Sequence, residues 1–301
     1  MSKKHPIIAV TGSSGAGTSS VKVAFEHMFH RQGINAAVIE GDSYHRYNRV
    51  EMKAAMELAG GEDRPHFSHF GDDANLFKEL QDTYRQYGED GTGKWRLYLH
   101  NQEEAELYSD LKLEPGQFTP WQDLKTGTDL MFYEGLHGCV VNERVDMAQF
   151  VDLKIGVVPV INLEWIQKIH RDTSTRGYSE DAVMDTILRR MHDYVHFIIP
   201  QFQHTDINFQ RVPVVDTSDP IIARDIPTPD ESLVVIRFKD PAQFNVDFPY
   251  LLQMLDGSWM SRRNSIVVTG GKMGLAMELI LTPILQDIME KRSKLMKPQA
   301  V

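Results

Sequence analysis

The sequence predicts an α/β protein in which a mostly parallel mixed sheet is flanked by helices on both faces and an anion-binding turn closes the first strand. Three observations carry that expectation. An apolar run, Pro6-Ile7-Ile8-Ala9-Val10-Thr11, leads directly into the glycine-rich stretch Gly12-Ser13-Ser14-Gly15-Ala16-Gly17-Thr18-Ser19, and a helical pattern follows over 19–29. Further apolar runs of strand length recur along the chain, separated by amphipathic segments. The 301 residues, 42% hydrophobic and 25% charged, suffice for an ordinary buried core, and we expect one domain over 1–301.

The first strand and helix are expected to frame a phosphate. A glycine-rich turn between them aims backbone N–H groups and the positive end of a helix at one spot. The spacing from Gly12 to Ser19 matches G-x-x-x-x-G-K-[S/T], except that Thr18 stands where lysine is expected. Gly12, Ser13, Ser14, Gly15, Ala16, Gly17, Thr18, Ser19 and Ser20 form the candidate cradle, with Ser19 the hydroxyl suited to a Mg2+ ion. Residues 36–41 read as a second strand ending at Asp42, and 75–87 as an amphipathic helix. Strands are expected at 129–134 and 152–158, then a helix at 163–172 broken at Thr175-Arg176-Gly177-Tyr178. Ser179-Glu180-Asp181 carries capping chemistry for a helix running to about residue 199, before Pro200. Strands at 212–216, 233–238 and 265–268 have short connections and suit an antiparallel edge. A closing helix from 273 is expected to bend or break at Pro283, with a charged, frayed tail after Glu290.

The net charge of −10 argues against a general nucleic-acid or anionic-membrane binder, so local clusters of Lys and Arg carry information. Cys139 is the only cysteine, which excludes an intrachain disulfide and points to a buried thiol. The first apolar run is too short for a signal peptide, and no stretch approaches the ~18–20 apolar residues of a membrane span. A soluble, cytoplasmic protein is expected.

Phosphoryl transfer needs a phosphate cradle, Mg2+ ligands, a base near the acceptor hydroxyl and cations for the transition state. Asp42 and Glu134 end apolar strands on the edge that bears the glycine-rich turn, so Asp42 is the candidate base, or else a turn aspartate, and Glu134 the metal-side carboxylate. His45, Arg49 and Lys53 follow at spacings of four, which on a helix gives one cationic face for a phosphorylated substrate. Lys168, Arg171 and Asp172 fall within one helical turn, with Arg176 in a glycine-terminated loop beyond. That grouping suits a lid whose cations supply the charge that Thr18 lacks. Arg189 and Arg190 read as surface residues or nucleotide contacts, and His66, His69 and His100 as packing or substrate contacts, of which His100 is a candidate substrate ligand. The residues support an ATP- and Mg2+-dependent sugar-phosphate kinase. They leave open a nucleoside or pantothenate kinase, or a nucleotide-sensing regulatory protein with a degenerate phosphate turn.

Several long strings resemble one family. They are the glycine-rich turn, Glu40-Gly41-Asp42-Ser43-Tyr44-His45-Arg46-Tyr47-Asn48-Arg49, Phe132-Tyr133-Glu134-Gly135-Leu136-His137-Gly138, the segment from Pro159 to Asp172, and Asp206-Ile207-Asn208-Phe209-Gln210-Arg211-Val212-Pro213. They are similar to the short-subunit bacterial phosphoribulokinases, P-loop kinases related to uridine and pantothenate kinases. The resemblance implies a nucleoside-monophosphate-kinase-like P-loop fold and conversion of ribulose 5-phosphate to ribulose 1,5-bisphosphate by Mg-ATP, in the Calvin cycle of carbon fixation. It implies Asp42 as the base on the C1 hydroxyl, and His45, Arg49, Lys53 and Arg176 as sugar-phosphate contacts. It further implies Glu134 at the metal nucleotide and Lys168, Arg171 and Asp172 as catalytic lid residues. Thr18 matches the bacterial pattern, and the turn has no cysteine for thiol control. A homo-octamer activated by NADH and inhibited by AMP is implied too, with Arg31, Arg237 and Arg262 at the effector site. Residues 51–71 and 102–117 match loosely.

Overall fold

The structure is a computed structural model that describes residues 4–13, 18–61, 66–174, 177–223 and 225–296. The strands are β1 (Ile7–Gly12), β2 (Ala36–Glu40), β3 (Lys94–Trp95), β4 (Gln122–Asp123), β5 (Leu130–Gly135), β6 (Leu153–Val158), β7 (Ile207–Pro213), β8 (Ser232–Phe238), β9 (Trp259–Arg262) and β10 (Ser265–Thr269). The helices are α1 (Thr18–Gln32), α2 (Arg49–Gly61), α3 (Phe77–Asp90), α4 (Gln102–Glu106), α5 (Ile161–Ser174), α6 (Glu180–Asp193), α7 (Phe248–Met254) and α8 (Met273–Met296).

Eight strands form one sheet in the order β2-β5-β1-β6-β7-β8-β10-β9, while β3 and β4 make a separate ribbon. The pairs from β2 through to β7 are parallel, and those from β7 through to β9 are antiparallel. Only β9 and β10 are joined by a tight turn, at 263–264, which permits nothing but an antiparallel return; β7, β8 and β9 are linked by the longer segments 214–231 and 239–258. β1 is buried throughout, with an apolar run over Ile7–Val10, because both of its faces are covered. Ile8 and Val10 pack with Phe132 on β5, Phe25 and Met28 on α1, and Met277 and Leu281 on α8. Ile7 and Ala9 face the other way, among Tyr133, Leu80, Tyr84 and Tyr87 of β5 and α3. Cys139 is buried in this second layer, where burial pushes its thiol up to about 12.

Four local expectations change. The strand expected at 212–216 is β7, lying five residues earlier, and Val214 and Val215 are exposed. The alternation of Ile207 and Phe209 inward with Asn208 and Gln210 between them outweighs the compact aliphatic run. His45 is not on a helix with Arg49 and Lys53, since α2 begins only at Arg49. Asn48 starts it by accepting from the backbone N–H groups of Val50 and Glu51, while Glu51 accepts from that of Asn48. The α6 segment ends at Asp193 and continues as a wide π turn (Tyr194–Ile198) and a tight 3-10 turn (Ile199–Gln203). The closing helix runs on through Pro283 to Met296. Burial of Ile280, Leu281, Ile284, Leu285 and Ile288 offsets a mid-helix proline cost of about 3 kcal/mol.

Candidate active site

The carboxyl ends of β1, β2 and β5 meet on one edge of the sheet. Register places Glu134 of β5 beside Val10 of β1 and Glu40 of β2, so the end of β1 at Gly12, Glu134 and the start of the segment that carries Asp42 lie on one edge. Gly41 makes the approach tight enough for Asp42. A Cβ at position 41 would sit 2.5 Å from the Tyr133 hydroxyl and 2.9 Å from the Gly135 Cα. The chain then turns through a 3-10 helix (Gly41–Tyr44). Tyr44 anchors that turn, its hydroxyl donating to the Lys94 carbonyl at 2.7 Å and lying 2.9 Å from the Thr83 hydroxyl.

Histidines surround the Asp42 carboxylate. His45 Nε2 lies 3.1 Å from Oδ1 and His100 Nε2 lies 3.6 Å from Oδ2, with the Asp42 side chain still 38% exposed. Enclosure by protein acts to raise the Asp42 carboxyl. The charge and hydrogen bond of His45, backed by His100 and His69, outweigh it and hold the group well below the ordinary carboxylate range. His45 is buried, which disfavours its charge, yet Asp42 and Asn75 raise it overall. His69, its ring tilted against that of His45 with centroids 4.8 Å apart, is held well below its ordinary value by burial and then by the charges of His45 and Arg190. His137 donates from Nε2 to the Phe70 carbonyl, and burial lowers it to about 3.

Two arginines brace the turn that carries these groups. Arg96 donates from Nε to the Ser43 carbonyl (2.9 Å) and from Nη2 to the His45 carbonyl (2.6 Å), while its guanidinium lies 3.7 Å above the Phe118 ring. Arg46 donates to the carbonyls of Asp73 and Asn75, both at 3.0 Å, tying 44–46 to 73–76. Arg49 and Lys53 are exposed on α2, and Arg49 Nη2 donates to the His100 carbonyl at 3.1 Å.

The second cluster lies on α5. Asp172, 5% exposed, is paired with Lys168 Nζ and with Arg171 Nε at 2.9 Å. Burial tends to raise the Asp172 carboxyl, but bonds from Lys168 and Arg171 lower it. Lys168 is lowered by burial and by Arg190, against the pull of Asp172. Glu164, one turn earlier, is raised by burial, with the hydroxyls of Ser13 and Tyr194 beside it, so α5 touches the residue that follows β1. Arg190 on α6 joins the clusters: its guanidinium lies over Phe70 at 5.3 Å and its charge acts on both His45 and Lys168.

His69 and His100 thus meet at Asp42, whereas His66 stacks on His192 with centroids 4.7 Å apart. Thr18, Ser19 and Ser20 open α1, while 14–17 and Arg176 lie outside the described residues. Arg31 pairs with Glu278 at 3.2 Å on the exposed outer side of α1 and α8. Arg237 and Arg262 are exposed and both lie in register with Ser265, and Arg237 alternates with Ile236 and Phe238, which face the α1–α8 layer. The chain therefore presents Arg31 and Arg237 on different faces. Glu164, Asn75 and Arg96 were not singled out from sequence. Glu164 left a trace there, as an acidic residue in the α5 string.

A helix opening directly after a glycine-rich turn, with acidic ends on the neighbouring parallel strands, defines the P-loop kinase class. The chain belongs to the phosphoribulokinase / uridine kinase family, whose model matches residues 7–218. It is 59% identical to the phosphoribulokinase of Nitrobacter vulgaris over 294 residues, covering 98% of this chain and 100% of that protein. It is 60% identical to phosphoribulokinase 1 of Cereibacter sphaeroides over 291 residues, covering 97% and 99%. Among solved structures, the phosphoribulokinase from Rhodobacter spheroides superposes with a TM-score of 0.88 at 57% identity, covering 97% of this chain and 100% of that one. The protein is a kinase, and ATP use follows from the family; the reading as a regulatory protein falls away.

Proposed function

We propose that this kinase transfers the γ-phosphoryl group of ATP to the C1 hydroxyl of ribulose 5-phosphate, giving ribulose 1,5-bisphosphate for carbon fixation in the Calvin cycle. Near-60% identity along almost the whole chain to proteins named phosphoribulokinase is the observation that carries this reading. The geometry around Asp42 supports it. One carboxylate oxygen rests on His45, and the other lies 3.6 Å from His100 Nε2 on a carboxylate that stays partly exposed. A carboxylate held this low is a weak base, which suits a loose transition state in which the hydroxyl proton leaves late. Asp42 then orients the hydroxyl first and takes its proton as the new P–O bond forms.

Glu134 and Ser19 would hold Mg2+, an oxygen donor set that fits a hard cation sharing its remaining positions with phosphates and water. When bound, the ion neutralises charge on the β- and γ-phosphates. Lys168 and Arg171, held in place by Asp172, provide the cation that Thr18 does not. Arg49, Lys53, His100 and Arg176 are assigned to the sugar phosphate, with His45 beside them. A homo-octamer with NADH and AMP as effectors completes the reading. Because Arg31 and Arg237 face apart, a site containing both takes residues from two copies.

Coupled measurement of ADP release tests the acceptor. Turnover is expected with ribulose 5-phosphate, together with a steep loss of affinity for it in Arg49→Ala. Turnover of uridine or pantothenate that survives Arg49→Ala, without turnover of ribulose 5-phosphate, would overturn the proposal.

A further inference from the structure

We infer that Asn75 locks His45 in its doubly protonated form, so that His45 is a positioning residue that holds one oxygen of the Asp42 carboxylate. The inference rests on the reading of Asp42 as base. Asn75 is 2% exposed, and its orientation is fixed by its own bonds. Its Nδ2 donates to the carbonyls of His69 (2.8 Å) and Gly71 (2.6 Å), which uses both amide hydrogens. A flipped carboxamide would set its oxygen against two carbonyl oxygens, so Oδ1 is the atom facing His45 Nδ1 at 2.8 Å.

A carboxamide oxygen only accepts, so His45 Nδ1 must carry a hydrogen. The other ring nitrogen, Nε2, lies 3.1 Å from Asp42 Oδ1. A neutral ring with its single hydrogen on Nδ1 would turn a lone pair toward an ionised carboxylate. Two protons on the ring remove that repulsion and leave His45 an imidazolium next to Asp42. The other groups facing the ring are Arg190 from α6, which opposes the charge, and His69 and His137, both held neutral by burial. Asp42 is thus its only counter-charge among these, and Asn75 decides which nitrogen is free to meet it.

Both nitrogens of His45 are therefore spent inside the protein. The substrate meets Asp42 through Oδ2, and a phosphate contact from His45 would require release of Asp42 or Asn75. This departs from the simple assignment of His45 to the sugar phosphate.

Histidine-selective 15N NMR of the native enzyme, with His45→Gln to assign the resonances, reads the ring directly. At about pH 7.5, above the ordinary histidine range, both ring nitrogens of His45 are expected in the protonated state. A neutral ring, or a single hydrogen on Nε2, overturns the inference, and the result stands whichever acceptor the enzyme uses. Asn75→Leu adds a kinetic arm. It frees the Nε2–H neutral tautomer, so the alkaline limb of kcat/KM for the sugar phosphate moves down by about one pH unit. The deficit should shrink toward about pH 6, where His45 recharges, with KM for ATP unchanged. A loss of equal size at every pH gives Asn75 only a structural role and overturns the inference.

Discussion

Replacing Arg96 by methionine tests whether the turn that carries Asp42, the proposed base, is held from outside its own strand. The side chain reaches from beside β3 to the turn at 41–45, so it touches neither nucleotide edge nor acidic strand end. Methionine keeps an apolar stem against Phe118 and Trp121 but removes both donors and the cation over those rings. Two charge-assisted bonds at about 1.5–3 kcal/mol each and a stacked cation at about 0.5–1 kcal/mol bound the loss. With the Arg96 site only half buried, a net local loss of about 3 kcal/mol is reasonable. That is enough to let the turn drift, and a displacement of about 1 Å at a reacting group costs about 10²-fold. Steady-state assays should therefore show kcat down about 10²-fold with KM for ATP unchanged. Arg96→Lys should recover only part, because an ammonium cannot span both carbonyls as the guanidinium fork does. An Arg96→Met enzyme that keeps kcat within about threefold of native refutes the reasoning.

Other perturbations read other parts of the site. Gly41→Ala forces a Cβ against the Tyr133 hydroxyl and the Gly135 backbone, so a stability loss of about 1–3 kcal/mol in urea unfolding should accompany a fall in kcat; unchanged values for both contradict the close approach. Asp172→Leu leaves Lys168 and Arg171 without their shared counter-charge, which should cost about 2–3 kcal/mol after allowance for partial exposure. Lys168, already lowered by burial, should then deprotonate at lower pH and carry the alkaline limb of kcat down with it, a shift that pH profiles will show or exclude. Asp42 and Asp172 both sit below the ordinary carboxylate value. Their contribution to stability is complete above about pH 4 and is lost as pH falls through the folded values. Acid unfolding followed by fluorescence should therefore begin only below about pH 4, and Asp172→Asn, which has no carboxylate at 172 to protonate, should lose less stability across that acid range than the native protein.

The sheet and its functional edge were legible because they rest on local patterns: an apolar strand, a glycine-rich turn and a helix in succession, then apolar runs ending in Asp42 and Glu134. The cationic stripe His45-Arg49-Lys53 misled because its spacing is helical while the N-cap chemistry of Asn48 and Glu51 delays the helix to Arg49. That signal was present in the sequence and was outweighed by periodicity. β7 was misplaced for a similar reason, its two-residue alternation hidden beside a denser aliphatic run. The roles of Asn75, Arg96 and Arg190 at the Asp42 turn could not be found this way. Each acts on the turn at 42–45 from a distant part of the chain, and no spacing rule links a residue to a partner that only the folded sheet brings near.

The central claim is that Asp42 is the base of a kinase whose nucleotide site is built separately from it. Asp42→Asn, assayed beside native enzyme for ATP affinity and for turnover with ribulose 5-phosphate, tests it most directly. The account predicts unchanged ATP affinity with kcat lowered about 10²–10⁴-fold. Turnover near the native rate, or a loss of ATP affinity that accounts for the whole defect, would contradict it.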